Sequence, residues 1–159
     1  MVSLNYRRPY PGWAKFSCHI RELAEAIQQT GLIVLLERFS LKFVNLPEQP
    51  VTLNGLNIVL RTGQYELDAR PIQLMTEIRE ASLIHVIQII SPAEIKLSGP
   101  EDGLKGVLLD MECIKPMSEG ESWDVLNKRL DEVHKAGFRM FFDLLKPETL
   151  EVLEPEYEG

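Results

Sequence analysis

Apolar residues recur at spacings of three and four between Trp13 and Ile27, and this periodicity limits the possible folds more than any other feature. The apolar positions are Trp13, Phe16, Ile20, Leu23 and Ile27. This spacing places them on one face of an α-helix, with charged residues opposite. Gly31, a residue type that commonly follows a helix end, predicts a stop at Thr30. Such a helix must bury its apolar face against another part of the protein.

A second helical pattern lies in the last third of the chain, after Ser122, a residue type that caps helices. One stripe contains Trp123, Leu126, Leu130, Val133 and Gly137, and beside it lie His134, Phe138, Phe141 and Leu145. A stripe of this width is typical of a helix laid across a sheet. Pro147 ends or kinks the helix, and residues 149–153 leave room for a further turn.

Between the two helices the apolar pattern has the period of β-strands. In residues 39–44 every second residue is leucine or phenylalanine, which predicts a strand with one buried face. Residues 82–90 and 105–114 are predicted strands, separated by a turn rich in glycine and proline at 99–103. A short strand is predicted at 3–8, whereas residues 51–81 have no decisive pattern.

Strands that follow one another through turns favour an antiparallel meander. The prediction is an α+β fold, a two-layer sandwich whose sheet carries the N-terminal helix and the long C-terminal helix on one face. The chain has 159 residues, so we expect residues 1–153 to form a single domain. Residues 154–159 are predicted to be an acidic, frayed tail.

Composition argues against several classes of function. A net charge of −7 opposes nucleic-acid binding, which requires a basic surface. No apolar run is long enough to span a bilayer, and the N-terminus lacks the layout of an export signal. We therefore expect a cytoplasmic protein that does not bind membranes, with Cys18 and Cys113 as buried thiols that form no disulfide.

Polar residues on two predicted strands form the first candidate site, a polar sheet face. Its members are Arg38, Lys42, Asn45, Asp110 and Glu112. Asp110 and Glu112 are two residues apart, so both point to one side of their strand. The simplest interpretation is a solvated charge ladder in which Arg38 and Lys42 neutralise the carboxylates. The alternatives are a concave surface that binds an anion and a carboxylate pair that performs acid–base chemistry.

The second candidate is an interaction patch near the N-terminus, formed by Tyr6, Arg7, Arg8 and Tyr10. Tyrosine and arginine are enriched among the residues that dominate protein interfaces. Trp13 follows closely, but its place in the helical stripe assigns it to the core.

No pattern typical of catalysis or of metal binding is present. His19, His85 and His134 lie on different elements, and none has a cysteine or glutamate at ligand spacing. We interpret His85 and His134 as hydrogen-bonded residues in or beside the core. Cys18 and His19 are adjacent on a helix and point about 100° apart, so they cannot act as nucleophile and base. We therefore predict no catalytic residues, no metal and no cofactor.

Three segments, taken in order, resemble a known family. They are SLNYRRPYPGWAKF at 3–16, LERFSLKFVN at 36–45 and VLLDMEC at 107–113, followed by a helix with Leu130, His134 and Phe141. The pattern is similar to the C-terminal portion of a sporadically distributed family of conserved hypothetical proteins from bacteria and archaea. The resemblance implies that this chain is a short member or an excised C-terminal domain of a prokaryotic protein. It carries a fold expectation and implies no activity.

The strand motif of that family matches here at Arg38, Ser40, Leu41, Phe43, Val44 and Asn45. Lys42 replaces an arginine of the family pattern, and Leu46 replaces its final arginine. The family's Asp-hydrophobic-Asp strand becomes Asp110-Met111-Glu112. The loss of the final arginine puts any charge-dependent role of that position in doubt.

Three functional hypotheses follow. The leading one is a non-enzymatic interaction or regulatory domain that acts through a partner protein or through self-association, with a homodimer closing the uncovered sheet face. The second is a small-molecule-binding domain with a pocket between the curved sheet and the C-terminal helix. The third is a hydrolase that uses Asp110 and Glu112.

Overall fold

The computed structural model describes residues 1–6, 10–46, 51–67, 71–95, 104–118 and 121–153. The helices are α1 (Trp13–Thr30), α2 (Asp124–Asp143) and α3 (Pro147–Leu153), with one 3₁₀ turn at Leu53–Gly55. The strands are β1 (Arg38–Asn45), β2 (Arg61–Thr62), β3 (Tyr65–Glu66), β4 (Ile72–Glu80), β5 (Leu83–Ile95) and β6 (Leu104–Pro116).

Within the described residues, four strands form one antiparallel sheet in the order β1-β6-β5-β4. Strands β4, β5 and β6 are a meander, and β1 joins the sheet beside β6 at the opposite edge from β4. Strands β2 and β3 form a separate small hairpin. The helices pack on one face of the main sheet, so the predicted α+β sandwich is confirmed.

The alternating strand pattern produces the core because every second residue points to the helices. The buried residues of β5 are Leu83, His85, Ile87 and Ile89, and those of β6 include Val107, Leu109, Met111 and Cys113. The buried residues of α2 lie on its predicted stripe: Leu126, Leu130, Val133, Ala136 and Gly137. The wide apolar stripe of α2 therefore lies across the sheet, as its pattern indicated.

Helix α1 is held to α2 through Asp131. The Trp13 indole Nε1 donates to Asp131 Oδ1 at 2.9 Å, and the Arg21 guanidinium lies 3.1 Å from Oδ2. The Trp13 ring also stacks on His134, with 3.7 Å between the ring centroids. The helix ends as predicted, because Gly31 takes a left-handed conformation with φ of 65°.

Several local predictions were wrong or incomplete. Residues 3–6 are not in a strand, and residues 7 and 8 lie outside the described residues. Ser122 is not the cap of α2, whose N-cap is Trp123 with no side-chain hydrogen bond. Pro147 begins α3, because the first turn of a helix does not need the proline N–H.

The undecided segment 51–81 contains β4, the 3₁₀ turn and the β2–β3 hairpin. The predicted acidic tail at 154–159 lies outside the described residues. Among the helices that the structure describes, none is both long enough and apolar enough to cross a membrane.

Candidate functional site

The face of the main sheet that points away from the helices is the candidate site, and we call it the open face. Strand alternation and register assign to it Gln73, Met75, Glu77 and Arg79 from β4, and Ile84, Val86, Gln88 and Ile90 from β5. From β6 and β1 it includes Leu108, Asp110, Glu112 and Ile114, and Arg38, Ser40, Lys42 and Val44. The structure thus places four of the five predicted polar-face residues, all but Asn45, on this face.

Lys42 and Asp110, two of the charged groups of the open face, neutralise each other. Lys42 Nζ lies 2.9 Å from Asp110 Oδ2, although Lys42 is in register with Glu112. Glu112 instead accepts a hydrogen bond from the Ser40 hydroxyl at 2.6 Å. The charge ladder is therefore confirmed for Lys42 and Asp110.

Two predicted members of the polar sheet face behave differently. Arg38 is in register with Pro116, at the end of the sheet and away from both carboxylates. Asn45 was wrongly placed, because it alternates with Val44 and so points to the helix side. Arg38 therefore does not join Lys42, Asp110 and Glu112 in the concave anion site that was the alternative to the charge ladder.

Apolar side chains occupy much of the remaining open face. Ile84, Val86, Ile90 and Leu108 are half-buried between their neighbours. Val44 and Met75, near the two edges of the sheet, keep 57% and 70% of their surface exposed. None of the described helices lies over these residues, so the open face combines neutralised charges with accessible apolar surface.

The carboxylate pair has no surrounding machinery in the part of the chain that the structure describes. Asp110 and Glu112 point to one side of β6, as predicted, but each already has a partner on β1. No group of three or more His, Cys, Asp or Glu side chains among the described residues is arranged to hold a metal ion. A hydrolase built on this pair gains no support from the geometry.

The N-terminal aromatic residues form a separate surface on α1. The rings of Tyr6 and Tyr10 both contact Phe16 edge to face, with centroid distances of 5.3 and 6.0 Å. The Tyr6 hydroxyl is also hydrogen-bonded to His19 Nδ1. Both tyrosines are exposed, whereas Arg7 and Arg8 lie outside the described residues. This patch does not join the open face, because α1 packs on the other side of the sheet.

A groove of about 610 Å³ lies between α2 and the turn that joins β4 to β5. It is lined by Glu80, Leu83, Glu132, Lys135 and Arg139, among others. The Arg139 guanidinium donates to both carboxylate oxygens of Glu80 at 2.7 Å. The groove is between the sheet and the C-terminal helix, where a small-molecule pocket was expected. Arg38, Lys42 and Asp110 cannot contribute to it, because they lie on the open face.

Beneath this groove, His85 and Cys113 lie directly opposite each other on β5 and β6, a pairing that sequence reasoning missed. Both side chains are buried. Neither ring nitrogen of His85 has a hydrogen-bond partner among the described residues, and Glu80 Oε2 is 3.6 Å from Nε2. His85 is therefore a core residue as expected, but the expected hydrogen bond is absent. Only the register of two strands distant in sequence creates the pair.

Burial determines the ionisation of this pair. Burial lowers the pKa of His85, although the nearby Glu80 carboxylate acts in the opposite direction. Burial also raises the pKa of the Cys113 thiol to about 11. A neutral imidazole and a neutral thiol result at pH 7. They are unsuited to nucleophilic catalysis, which requires a thiolate.

The buried imidazole predicts an acid-sensitive fold. The pKa of His85 is lower in the folded state than its unfolded value of about 6.5, so the unfolded state binds more protons as the pH falls below that value. We expect the free energy of unfolding to be highest above pH 6.5 and to fall between pH 6.5 and pH 5.

His85→Leu should reduce this acid sensitivity. It should also raise the free energy of unfolding at pH 7.5 by about 1 kcal/mol, because it removes two unsatisfied buried nitrogens. Urea unfolding at pH 7.5 and 5.5 measures both effects. The control is His19→Gln on α1, which should keep the wild-type pH dependence. If His85→Leu and wild type lost equal stability between pH 7.5 and pH 5.5, the acid sensitivity could not be assigned to His85.

In comparisons with protein-family models, curated proteins and solved structures, nothing matched this chain. The resemblance to the bacterial and archaeal family therefore stays a prediction, and what the chain does has to be inferred from its own surfaces.

Proposed function

We propose that this chain is a non-enzymatic interaction domain that acts by self-association, and that the uncovered part of its sheet supplies the contact. The observation that supports the proposal is the one-sided covering of the sheet. The helices bury one face, whereas on the other face Val44 and Met75 are exposed and Ile84, Val86, Ile90 and Leu108 are half-buried. Contiguous exposed apolar surface of more than a few hundred Å² marks interaction sites.

The size of the sheet suits such a role. Four strands about 4.8 Å apart and roughly nine residues long cover on the order of 600 Å² in projection. A standard protein–protein interface buries about 800 Å² on each partner. The neutralised pairs, such as Lys42 with Asp110, lower the cost of removing this surface from water.

A cytoplasmic location is part of the proposal. Cys113 is buried as predicted, whereas the prediction was wrong for Cys18, which is exposed. Both are free thiols, the form expected in a reducing compartment.

Light scattering coupled to size-exclusion chromatography tests the proposal. We expect the apparent mass to rise with concentration from that of one 18.2 kDa chain to that of two, with a micromolar dissociation constant. Val59 lies outside the main sheet, on the loop before the β2–β3 hairpin, and is 88% exposed. Val59→Lys should therefore dimerise like wild type. A mass that remains monomeric up to the highest soluble concentration would rule out self-association.

A further inference from the structure

The second half of β4 differs from the rest of the described sheet because the side chains on both of its faces are exposed. Residues 75–80 are all exposed, and Ile78 keeps 41% of its surface accessible although it points to the helix side. Ile72 and Leu74, by contrast, pack against the core. In the described sheet β4 is also an edge strand. An uncovered edge of this kind is a template for pairing with another strand.

The turn after β4 decides which backbone groups are available at this edge. Glu80 pairs with Leu83 across a two-residue turn, and residues that flank such a turn bond to each other. Backbone groups alternate in direction along a strand, so those of Glu77 and Arg79 point away from β5. Each residue offers one N–H donor and one C=O acceptor to the free edge.

We propose that a second copy of this chain pairs with β4 in antiparallel fashion, about a two-fold axis that passes through Ile78. The proposal rests on the self-association proposed above, but it places the contact at the β4 edge and leaves the open face of each copy uncovered. In this register Glu77 faces the partner's Arg79, and Arg79 faces the partner's Glu77. Ile78 faces its own counterpart, and Thr76 faces the partner's Glu80. The contact thus contains two ion pairs and one aliphatic pair, with no like charges opposed.

Charge and exposure both select this register over its neighbours. An axis through Glu77 would oppose two identical carboxylates, which is unfavourable. An axis through Thr76 would place Glu77 opposite Met75 and Arg79 opposite Gln73, so that both ion pairs are lost. The ladder centred on Ile78 uses residues 76–80, all of which are exposed.

The Glu77 and Arg79 side chains already have the geometry that this contact needs. They lie on the same side of β4, and Arg79 reaches Glu77 at 2.7 Å within one chain. Both side chains are largely exposed. In the dimer the two local pairs, one in each chain, are exchanged for two pairs across the edge, without any rearrangement of the strand. A ladder of five residue pairs is at the low end of interface size, so the dimer is weak and reversible.

Oxidative cross-linking tests the register directly. In a Cys18→Ser background, which removes the exposed native thiol, Ile78→Cys should give a covalent dimer on a non-reducing gel. The two Cα atoms of such a non-hydrogen-bonded pair are about 4.5 Å apart, within the range of a disulfide. Thr76→Cys in the same background is the control. Its counterpart is four residues along the ladder, about 13 Å away, so it should not cross-link.

Charge exchange provides an independent measurement. Glu77→Arg and Arg79→Glu each place like charges opposite one another, and each should raise the dimer dissociation constant about tenfold. The double exchange restores both ion pairs and should return the dissociation constant to within about threefold of wild type.

The outcomes separate this inference from the proposed function. Cross-linking of Thr76→Cys without cross-linking of Ile78→Cys overturns the register. A dimer that neither variant cross-links, and that Val44→Lys on β1 dissociates, shows that the second copy closes the open face. That result overturns the edge contact and leaves self-association standing. A protein that is monomeric at every concentration overturns both.

Discussion

Leu109→Ala should lower the free energy of unfolding by about 2–5 kcal/mol, the largest effect we expect from a single substitution. Leu109 is 0% exposed and lies in the middle of β6, between β1 and β5. It belongs to the cluster in which the sheet meets the 3₁₀ turn and the end of α2. Removing its isobutyl group leaves a cavity on a central strand, where neighbours on both sides prevent collapse.

Urea unfolding followed by circular dichroism measures this loss. Val44→Ala is the matched control, because it shortens an aliphatic side chain of the same sheet on the open face. It should cost no more than about 0.5 kcal/mol. Equal losses in Leu109→Ala and Val44→Ala would contradict the assignment of buried and open faces.

Gly137→Val should lower the free energy of unfolding by about 1–3 kcal/mol, although valine is a better helix former than glycine. Helix α2 crosses the sheet closely at Gly137. A Cβ atom there would lie 2.8 Å from Phe43 Cε2 and 3.5 Å from Cys113 Cβ. The first distance is shorter than van der Waals contact, so either the Phe43 ring or the helix has to move.

The same unfolding assay includes Ala14→Val at an exposed position of α1, where only helix propensity changes and the cost should be about 0.5 kcal/mol. Adding Phe43→Leu to Gly137→Val shortens the side chain that obstructs the new atoms. The double variant should therefore lose less stability than the sum of the two single variants, by about 1 kcal/mol. If the losses of the two single variants added up to that of the double variant, the close approach of Gly137 to the Phe43 ring would not limit stability.

Self-association at a sheet edge would explain why the exposed half of β4 bears charges of both signs. Natural edge strands usually use charge to prevent pairing. Glu77 and Arg79 are self-complementary about a two-fold axis, so here the same charges select one antiparallel register. The groove beside Glu80 stays on the helix side of such a sheet, where Arg139 keeps that carboxylate in place.

The sequence by itself determined the elements that depend on local periodicity. A helix with apolar residues three and four apart has an apolar stripe whatever it packs on, so α1 and the buried stripe of α2 were predicted correctly. Gly31 ended α1 for an equally local reason, since only its backbone conformation was involved. The strands β1, β5 and β6 were found because each buries one face. Alternation would also have placed Asn45 on the helix side, so that error was avoidable.

Tertiary structure decided what depends on neighbours distant in the chain. Strand β4 has no clear alternation, since its second half is exposed on both faces, and only pairing with β5 makes it a strand. The position of β1 beside β6 brings Lys42 to Asp110, and the register of β5 with β6 brings His85 to Cys113. Such contacts join residues many positions apart, and no local propensity encodes them. The residues that β1, β5 and β6 contribute to the open face were therefore largely predictable from the sequence. The contribution of β4, and the uncovered edge that it forms, appeared only in the assembled sheet.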